Sequence, residues 1–281
     1  MNLETATKRE VLYDSAVRLA PVRGALRDLY SYRALIRLLV ARDLTVRYKR
    51  SLLGVSWTIL NPLLTTLVMW VVFKDLFHAS VPGVPYIVYI LVGMLVITYF
   101  QQGVFMTSAS IVSYAGMLTK VYVPPVVFAC STACSGAINF VLGLFPLVVF
   151  ELVLGPGIPW TFPFMAGPLV CLLAMIAGLG LIFATFAIRF DDVLNLINVL
   201  LLLTMYVTPI FYPITIVPVH LRKYFLINPM FSYVTVFRYL AYSGTAPTWK
   251  SIVIVILSGA ICFFSGLAVF VRRWPSMAAL L

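Results

Sequence analysis

The sequence predicts an all-α integral membrane protein. It should carry six transmembrane helices, an N-terminal amphipathic interface helix, and a re-entrant pair of short helices on the outer side between spans five and six. Three observations lead there. Hydrophobic residues make up 62% of the 281 positions and charged ones only 10%, with a mean hydropathy of +1.04; soluble domains hold about half apolar and a quarter charged residues. Apolar runs of about 20 residues, enough to cross hydrocarbon as a helix, recur six times. The cations cluster beside these runs, which is how membrane proteins meet the cytoplasmic face and its anionic headgroups. That placement accounts for the net charge of +11 and pI of about 9.7, and no separate polar domain exists to carry a nucleic-acid surface.

Residues 1–29 form a polar cytoplasmic segment. They hold no short apolar core followed by a small-residue cleavage site, so a removable signal peptide is not expected. Residues 30–52 comprise the interface helix and a basic region. Tyr32, Leu35, Ile36, Leu38 and Leu39 share one arc with Arg33 and Arg37 opposite, the pattern of a helix lying in the interface plane. Past Arg42 the pattern degrades as Asp43 and Arg50 rotate onto the apolar arc, so the helix should bend or end there. The transmembrane domain, 53–281, contains spans near 57–77, 86–107, 126–154, 164–188, 193–212 and 251–271.

Eleven Lys and Arg residues precede the first span, among them Arg42, Arg47, Lys49 and Arg50, which places that side in the cytoplasm. With six spans, Lys120, Arg189 and Arg272-Arg273 fall on the same side, and the loops 78–85 and 155–163, devoid of Lys and Arg, fall outside. Both termini are then cytoplasmic. Residues 224–243 are apolar enough to suggest a seventh span, but that would place Arg238 in lipid, where a central arginine is costly. Pro213, Pro218 and Pro229 instead punctuate short helices. Irregular backbone at membrane depth must be covered by protein or water, so this segment is expected to cap a cavity.

Candidate chemistry is sparse. Cys130, Cys134, Cys171 and Cys262 lie inside apolar runs without CxxC spacing, as small hydrophobes do. His78 and His220 are far apart in outer loops. Glu151 and Asp75 sit near span ends, unlike the mid-bilayer acids of proton-coupled carriers. Asp191-Asp192 are the one pair of adjacent acids; such a pair can hold Mg²⁺ on a diphosphate, which would suit a membrane glycosyl- or prenyltransferase, and it equally complements the dipole of the following helix. No Gly-x-x-x-x-Gly-Lys-Ser/Thr stretch occurs, so nucleotide hydrolysis would require another chain. Two helical stripes stand out: Tyr86, Tyr89, Gly93, Ile97 and Phe100 in span two, and Asn195, Asn198, Leu202, Tyr206 and Pro209 in span five. Aromatic rings with polar handles can line a path for sugars, and the same residues serve helix–helix packing.

Arg42-Asp43-Leu44, Arg47-Tyr48-Lys49, Ser51, Leu53-Gly54, Trp57, Leu60 and Pro62 together resemble the N-terminal signature of the ABC-2-type permeases that export lipid-linked polysaccharides such as O antigen, teichoic acid, capsule or galactan. Lys120-Val121-Tyr122-Val123-Pro124, Arg189-Phe190-Asp191-Asp192, Pro209-Ile210-Phe211-Tyr212-Pro213 and Asn228-Pro229-Met230 are similar too, in the same order, from about residue 30 to the C-terminus. The chain departs from the pattern at Pro125, where many relatives carry a basic residue, and at Asp191, where they often repeat Arg. Small-molecule and lipid exporters of the same topology lack the N-terminal signature.

The resemblance implies a multi-pass subunit of the inner (cytoplasmic) membrane, not itself an enzyme. Two copies would enclose a tunnel above two separate ATP-binding-cassette subunits. No cofactor would be bound by this chain; ATP and Mg would sit in the ATPase. Arg42, Arg47, Lys49, Arg50 and Trp57 would receive the lipid-diphosphate headgroup, which arginine suits by charge and bidentate fork. Tyr86, Tyr89, Phe100, Asn195 and Tyr206 would line the tunnel. Tyr114, Lys120, Tyr122 and Pro124 would couple to the ATPase. Tyr212, Pro213, Asn228, Pro229 and Arg238 would form the outer gate.

Overall fold

A computed structural model describes residues 21–49, 51–76, 78, 80–118, 123–190 and 192–277. Among these residues the chain is helical, without strands. Arg50, Lys120, Tyr122 and Asp191, named above, lie outside the described residues.

Helix α1 (Pro21–Ser31) begins on a proline, whose missing N–H costs nothing in a first turn, and Tyr32 separates it from α2 (Arg33–Tyr48). The expected break after Arg42 does not occur: α2 runs on to Tyr48. The reason is that Asp43, the residue that spoils the apolar arc, is not left in an apolar contact. It accepts a hydrogen bond from the Tyr114 hydroxyl at 2.6 Å. Leu39 and Val40, buried, face the body of the molecule.

After a short turn, α3 (Ser56–Val71) continues as a π-helical turn to Leu76. Pro62 lies within α3, and Thr65 bonds back to the Asn61 and Pro62 carbonyls. Helix α4 (Tyr86–Ser113) has 28 residues, about 42 Å at 1.5 Å per residue, and is the most enclosed element of the fold. A single turn, α5 (Ala115–Leu118), follows. The expected third span is kinked into α6 (Pro125–Gly143) and α7 (Phe145–Val153), because Pro146 lacks the N–H for the ladder and crowds the carbonyl four residues back.

Helix α8 (Ala166–Ala187) follows a 3₁₀ turn at Phe162–Met165. Helix α9 (Asp192–Val207) is shorter than the expected 193–212: Thr208 turns its hydroxyl onto the Thr204 carbonyl, and Pro209 cannot extend the ladder. The following segment is two short helices, α10 (Val219–Ile227) and α11 (Pro229–Arg238), broken at Asn228-Pro229 as the proline spacing predicts. The Asn228 side chain caps α11 by accepting from the Met230 N–H at 3.0 Å. A π turn (Tyr239–Ser243) and Gly244 in the left-handed region lead to α12 (Trp249–Met277).

Among the described residues five helical stretches are long and apolar enough to cross a membrane: Ser56–Asp75, Tyr86–Ser113, Pro125–Val153, Phe162–Ala187 and Trp249–Met277; α9 is the shorter apolar helix. They pack around α4 and around the pair α8 and α12. That pair approaches backbone to backbone. A methyl at Gly259 would lie 2.6 Å from the Cys171 carbonyl oxygen, and Gly178 and Gly266 leave even less room, the close approach that small residues permit between helices in lipid. One core surrounds α4; a second joins α1 and α2 to the adjoining ends of α6, α8 and α12 through Leu39, Phe128, Leu267 and Phe270.

Candidate functional site

The joint between α2 and α3 opens on a cleft bounded by α3, α4 and α6, with a volume of about 370 Å³. Arg47 and Trp57 line it, both exposed. Arg42 and Lys49 are exposed on the same stretch of chain. The cleft is polar for its position among apolar helices: Tyr48, Thr58, Asn61, Thr98, Tyr99, Gln102, Thr132 and Asn139 contribute hydroxyls and amides. From Leu95 to Met106 it follows α4 for eleven residue steps, about 16 Å.

These groups arrive by helical spacing. Tyr99, Gln102 and Met106 share one face of α4; Thr132, Gly136, Asn139 and Gly143 share one face of α6. The Tyr99 ring comes close to the α6 backbone: a methyl at Gly136 would sit 3.1 Å from it. The Tyr48 hydroxyl donates to Asn139 Oδ1 at 2.6 Å, and it also contacts the Thr58 hydroxyl. Since the Tyr48 proton is committed to Asn139, Thr58 is the donor of that second contact. Among the described residues, Asn139 Nδ2 and the Tyr99 hydroxyl of this lining are buried without a hydrogen-bond partner. The Tyr99 ring packs against Phe140 at 5.3 Å.

Beside the cleft, α2 is tied to the end of α4. The Arg42 guanidinium lies over the Tyr114 ring at 5.3 Å, and Tyr114 donates to Asp43. Burial, reinforced by the Asp43 carboxylate that accepts its proton, pushes the Tyr114 hydroxyl above its ordinary pKa. The expected headgroup residue Arg42 and the expected coupling residue Tyr114 are thus in direct contact. Pro124 caps the start of α6.

At the opposite end of α4, the expected gate residues converge with two of the expected tunnel residues. Arg238 is buried, and its guanidinium donates to the Ile210 carbonyl at 2.6 Å, the Tyr89 carbonyl at 3.3 Å and the Pro209 carbonyl at 3.4 Å. It stacks on the Tyr89 ring at 3.5 Å. Tyr89 donates to the Tyr212 carbonyl at 3.1 Å and Tyr86 to that of Phe211. Asn228 Nδ2 donates to the Thr208 hydroxyl at 2.9 Å. The irregular residues 208–212 therefore have four consecutive carbonyls, from Pro209 to Tyr212, capped by side chains. Pro213 and Pro229 bound the segment.

The five expected tunnel residues do not come together. Tyr86, Tyr89 and Phe100 are buried inside one chain, where their stripe does the packing work that was its other reading. Asn195 and Tyr206 stand exposed on α9. Sequence reasoning missed Asn61, Tyr99, Gln102 and Asn139 as site residues. Their signal was present as polar residues at spacings of three and four within runs otherwise apolar.

Comparison with known proteins places these features in a wider set. The family model described as "ABC-2 type transporter" matches residues 34–242. The O-antigen export system permease protein of Myxococcus xanthus is 29% identical over 254 residues, covering 90% of this chain and 97% of that protein. The protein of the same description from Klebsiella pneumoniae is 28% identical over 240 residues, covering 84% and 90%. The capsule polysaccharide export inner-membrane protein of Neisseria meningitidis is 23% identical over 251 residues, covering 88% and 94%.

Proposed function

This chain belongs to the ABC-2 type transporter family, and from that premise we propose that it is the membrane permease of an ATP-driven exporter of a lipid-linked polysaccharide. The observation that carries the reading is the near end-to-end similarity to permeases for O antigen and capsule. The transferase reading built on Asp191 and Asp192 is not favoured, since these relatives are export permeases.

In this reading α9, with the irregular residues that follow it, makes the fifth of six crossings. Helix α2 lies in the cytoplasmic interface of the inner membrane, and both termini are cytoplasmic. Two copies associate through the exposed faces of α3 and α9, which carry the exposed apolar side chains Leu64, Val68, Leu203 and Tyr206. Two ATPase subunits dock on residues 113–125, with Tyr114, Lys120, Tyr122 and Pro124 as the coupling segment. ATP and Mg are bound there, and no cofactor by this chain. Arg42, Arg47, Lys49 and Arg50 receive the lipid diphosphate beside Trp57.

The test is affinity purification of the chain from its native membranes, with ATPase measurement on whatever copurifies. A stoichiometric ATPase, together with loss of surface polysaccharide on deletion of the chain, is the expected result. Purification of the chain alone, with surface polysaccharide unchanged on deletion, would overturn the assignment.

A further inference from the structure

We propose that the C-terminal ends of α8 and α12 form a binding site for an anionic phospholipid of the inner leaflet, whose phosphate is held between Arg189 and Arg273. The inference goes beyond the export reading and takes from it only the orientation that makes this side cytoplasmic.

Gly259 of α12 meets Cys171 of α8, and Gly266 meets Gly178, so the two helices run the same way and finish side by side. Between their ends lies a cavity of about 140 Å³, lined by Thr185, Phe186 and Arg189 on one side and by Val269, Arg273 and Ser276 on the other. A basic residue at each helix C-terminus complements its dipole, but that does not require both to line one cavity, where like charges repel. No carboxylate is among the described lining residues, and Asp192, at the start of α9, does not reach it. The Thr185 hydroxyl donates to the Leu181 carbonyl and that of Ser276 to the Arg273 carbonyl. The side-chain donors left to the cavity are therefore the guanidinium N–H groups, whose fork suits a phosphate.

The surroundings select a lipid as the carrier of that phosphate. Phe186 and Val269 are exposed and precede the arginines by three and four residues, about one turn deeper in the membrane. Charge at the interface with apolar surface one turn below repeats the order of phosphate and acyl chain. The cavity is smaller than the usual small-molecule site of about 300–1,000 Å³, so it takes the headgroup phosphate and leaves the chains outside, along the helices. A zwitterionic headgroup would bring an ammonium beside two guanidiniums, which an anionic one does not. This cavity shares no lining residue with the cleft beside Arg47.

The test places the full chain, with whatever ATPase copurifies, in phosphatidylethanolamine nanodiscs into which phosphatidylglycerol is titrated. Native mass spectrometry measures the preference between the two lipids for the wild type, Arg189→Gln, Arg273→Gln and the double variant. Arg272→Gln removes the same charge from the neighbouring position, which does not line the cavity, and is the control. At about fivefold per arginine, the wild type should prefer phosphatidylglycerol by about twentyfold. Each single variant should lose about fivefold and the double variant should approach no preference, while Arg272→Gln stays near wild type. Phosphatidylglycerol should also raise the unfolding temperature of the wild type and not of the double variant, both being equally stable in phosphatidylethanolamine alone.

Equal retention of the two lipids by the wild type, or a loss in Arg272→Gln as large as in Arg273→Gln, overturns the site. Displacement of phosphatidylglycerol by equimolar polyprenyl diphosphate would assign the arginines to the cargo lipid, and the same stabilisation by inorganic phosphate would make them a site for a free anion. Either result overturns the phospholipid assignment. The export reading is untouched by all of these, since it depends on the copurifying ATPase and on surface polysaccharide.

Discussion

The Tyr86 end of α4 and its middle bury polar groups in different ways. At the Tyr86 end, Arg238, Tyr86 and Tyr89 donate to the irregular backbone after α9, capping four successive carbonyls and leaving only Arg238 Nε without a partner among the described residues. At the middle of the helix, beside the cleft, the Tyr99 hydroxyl and Asn139 Nδ2 are buried and have no acceptor among the described residues. The difference teaches how to read polarity inside an apolar protein. Donors saturated by backbone mark a structural repair, needed because non-helical carbonyls in lipid must be covered.

The contrast can be broken by substitution. Arg238→Met should have the largest effect: it releases the Pro209, Ile210 and Tyr89 carbonyls together, and loss of hydrogen bonds from a charged donor should cost about 2–4 kcal/mol. Thermal unfolding in nanodiscs should show it, with export falling in parallel; wild-type stability in this variant would mean the segment finds other cover. Tyr89→Phe keeps the ring beneath the guanidinium and loses the hydroxyl's bond to Tyr212 with its polar interaction with Arg238, so about 1 kcal/mol is expected in the same assay.

Tyr114→Phe tests the tie to α2, with a smaller effect because the pair is partly solvated. Since the folded-state pKa of Tyr114 is raised, its contribution should be constant below the unfolded value of about 10 and decline as pH rises beyond it. The stability difference between wild type and variant, followed from pH 7 to 11, should therefore be flat and then shrink. Last comes Tyr99→Phe, expected within about 0.5 kcal/mol of wild type. Tyr89 and Tyr99 are ten residues apart on one helix, and the same change at each should separate the hydroxyl that is hydrogen-bonded from the one that is not.

Much of this was legible in the sequence. Hydropathy located five long apolar helices, and the proline spacing located the two short helices around Asn228-Pro229. The sequence reading kept Arg238 out of lipid on cost alone, and the structure supplies what it lacked, a set of carbonyl partners. What was not legible depended on neighbours distant in sequence. Asp43 looked like a helix breaker because Tyr114, 71 positions away, could not be seen to meet it. The span at 193–212 looked continuous because hydropathy does not register Thr208 turning back on Thr204 ahead of Pro209. Tyr86 and Tyr89 suggested a tunnel lining, since a stripe of amphipathic rings has the same pattern whether it faces a lumen or an arginine. The cleft was overlooked because its polar residues are divided among three helices, none of which carries enough of them to stand out alone.

The glycine contacts between α8 and α12 carry a mechanical implication. With carbonyls lodged where side chains would otherwise stand, neither helix can slide past the other without a steric clash. The pair therefore behaves as a single strut running the depth of the molecule. A push delivered at one face reaches the other without slack.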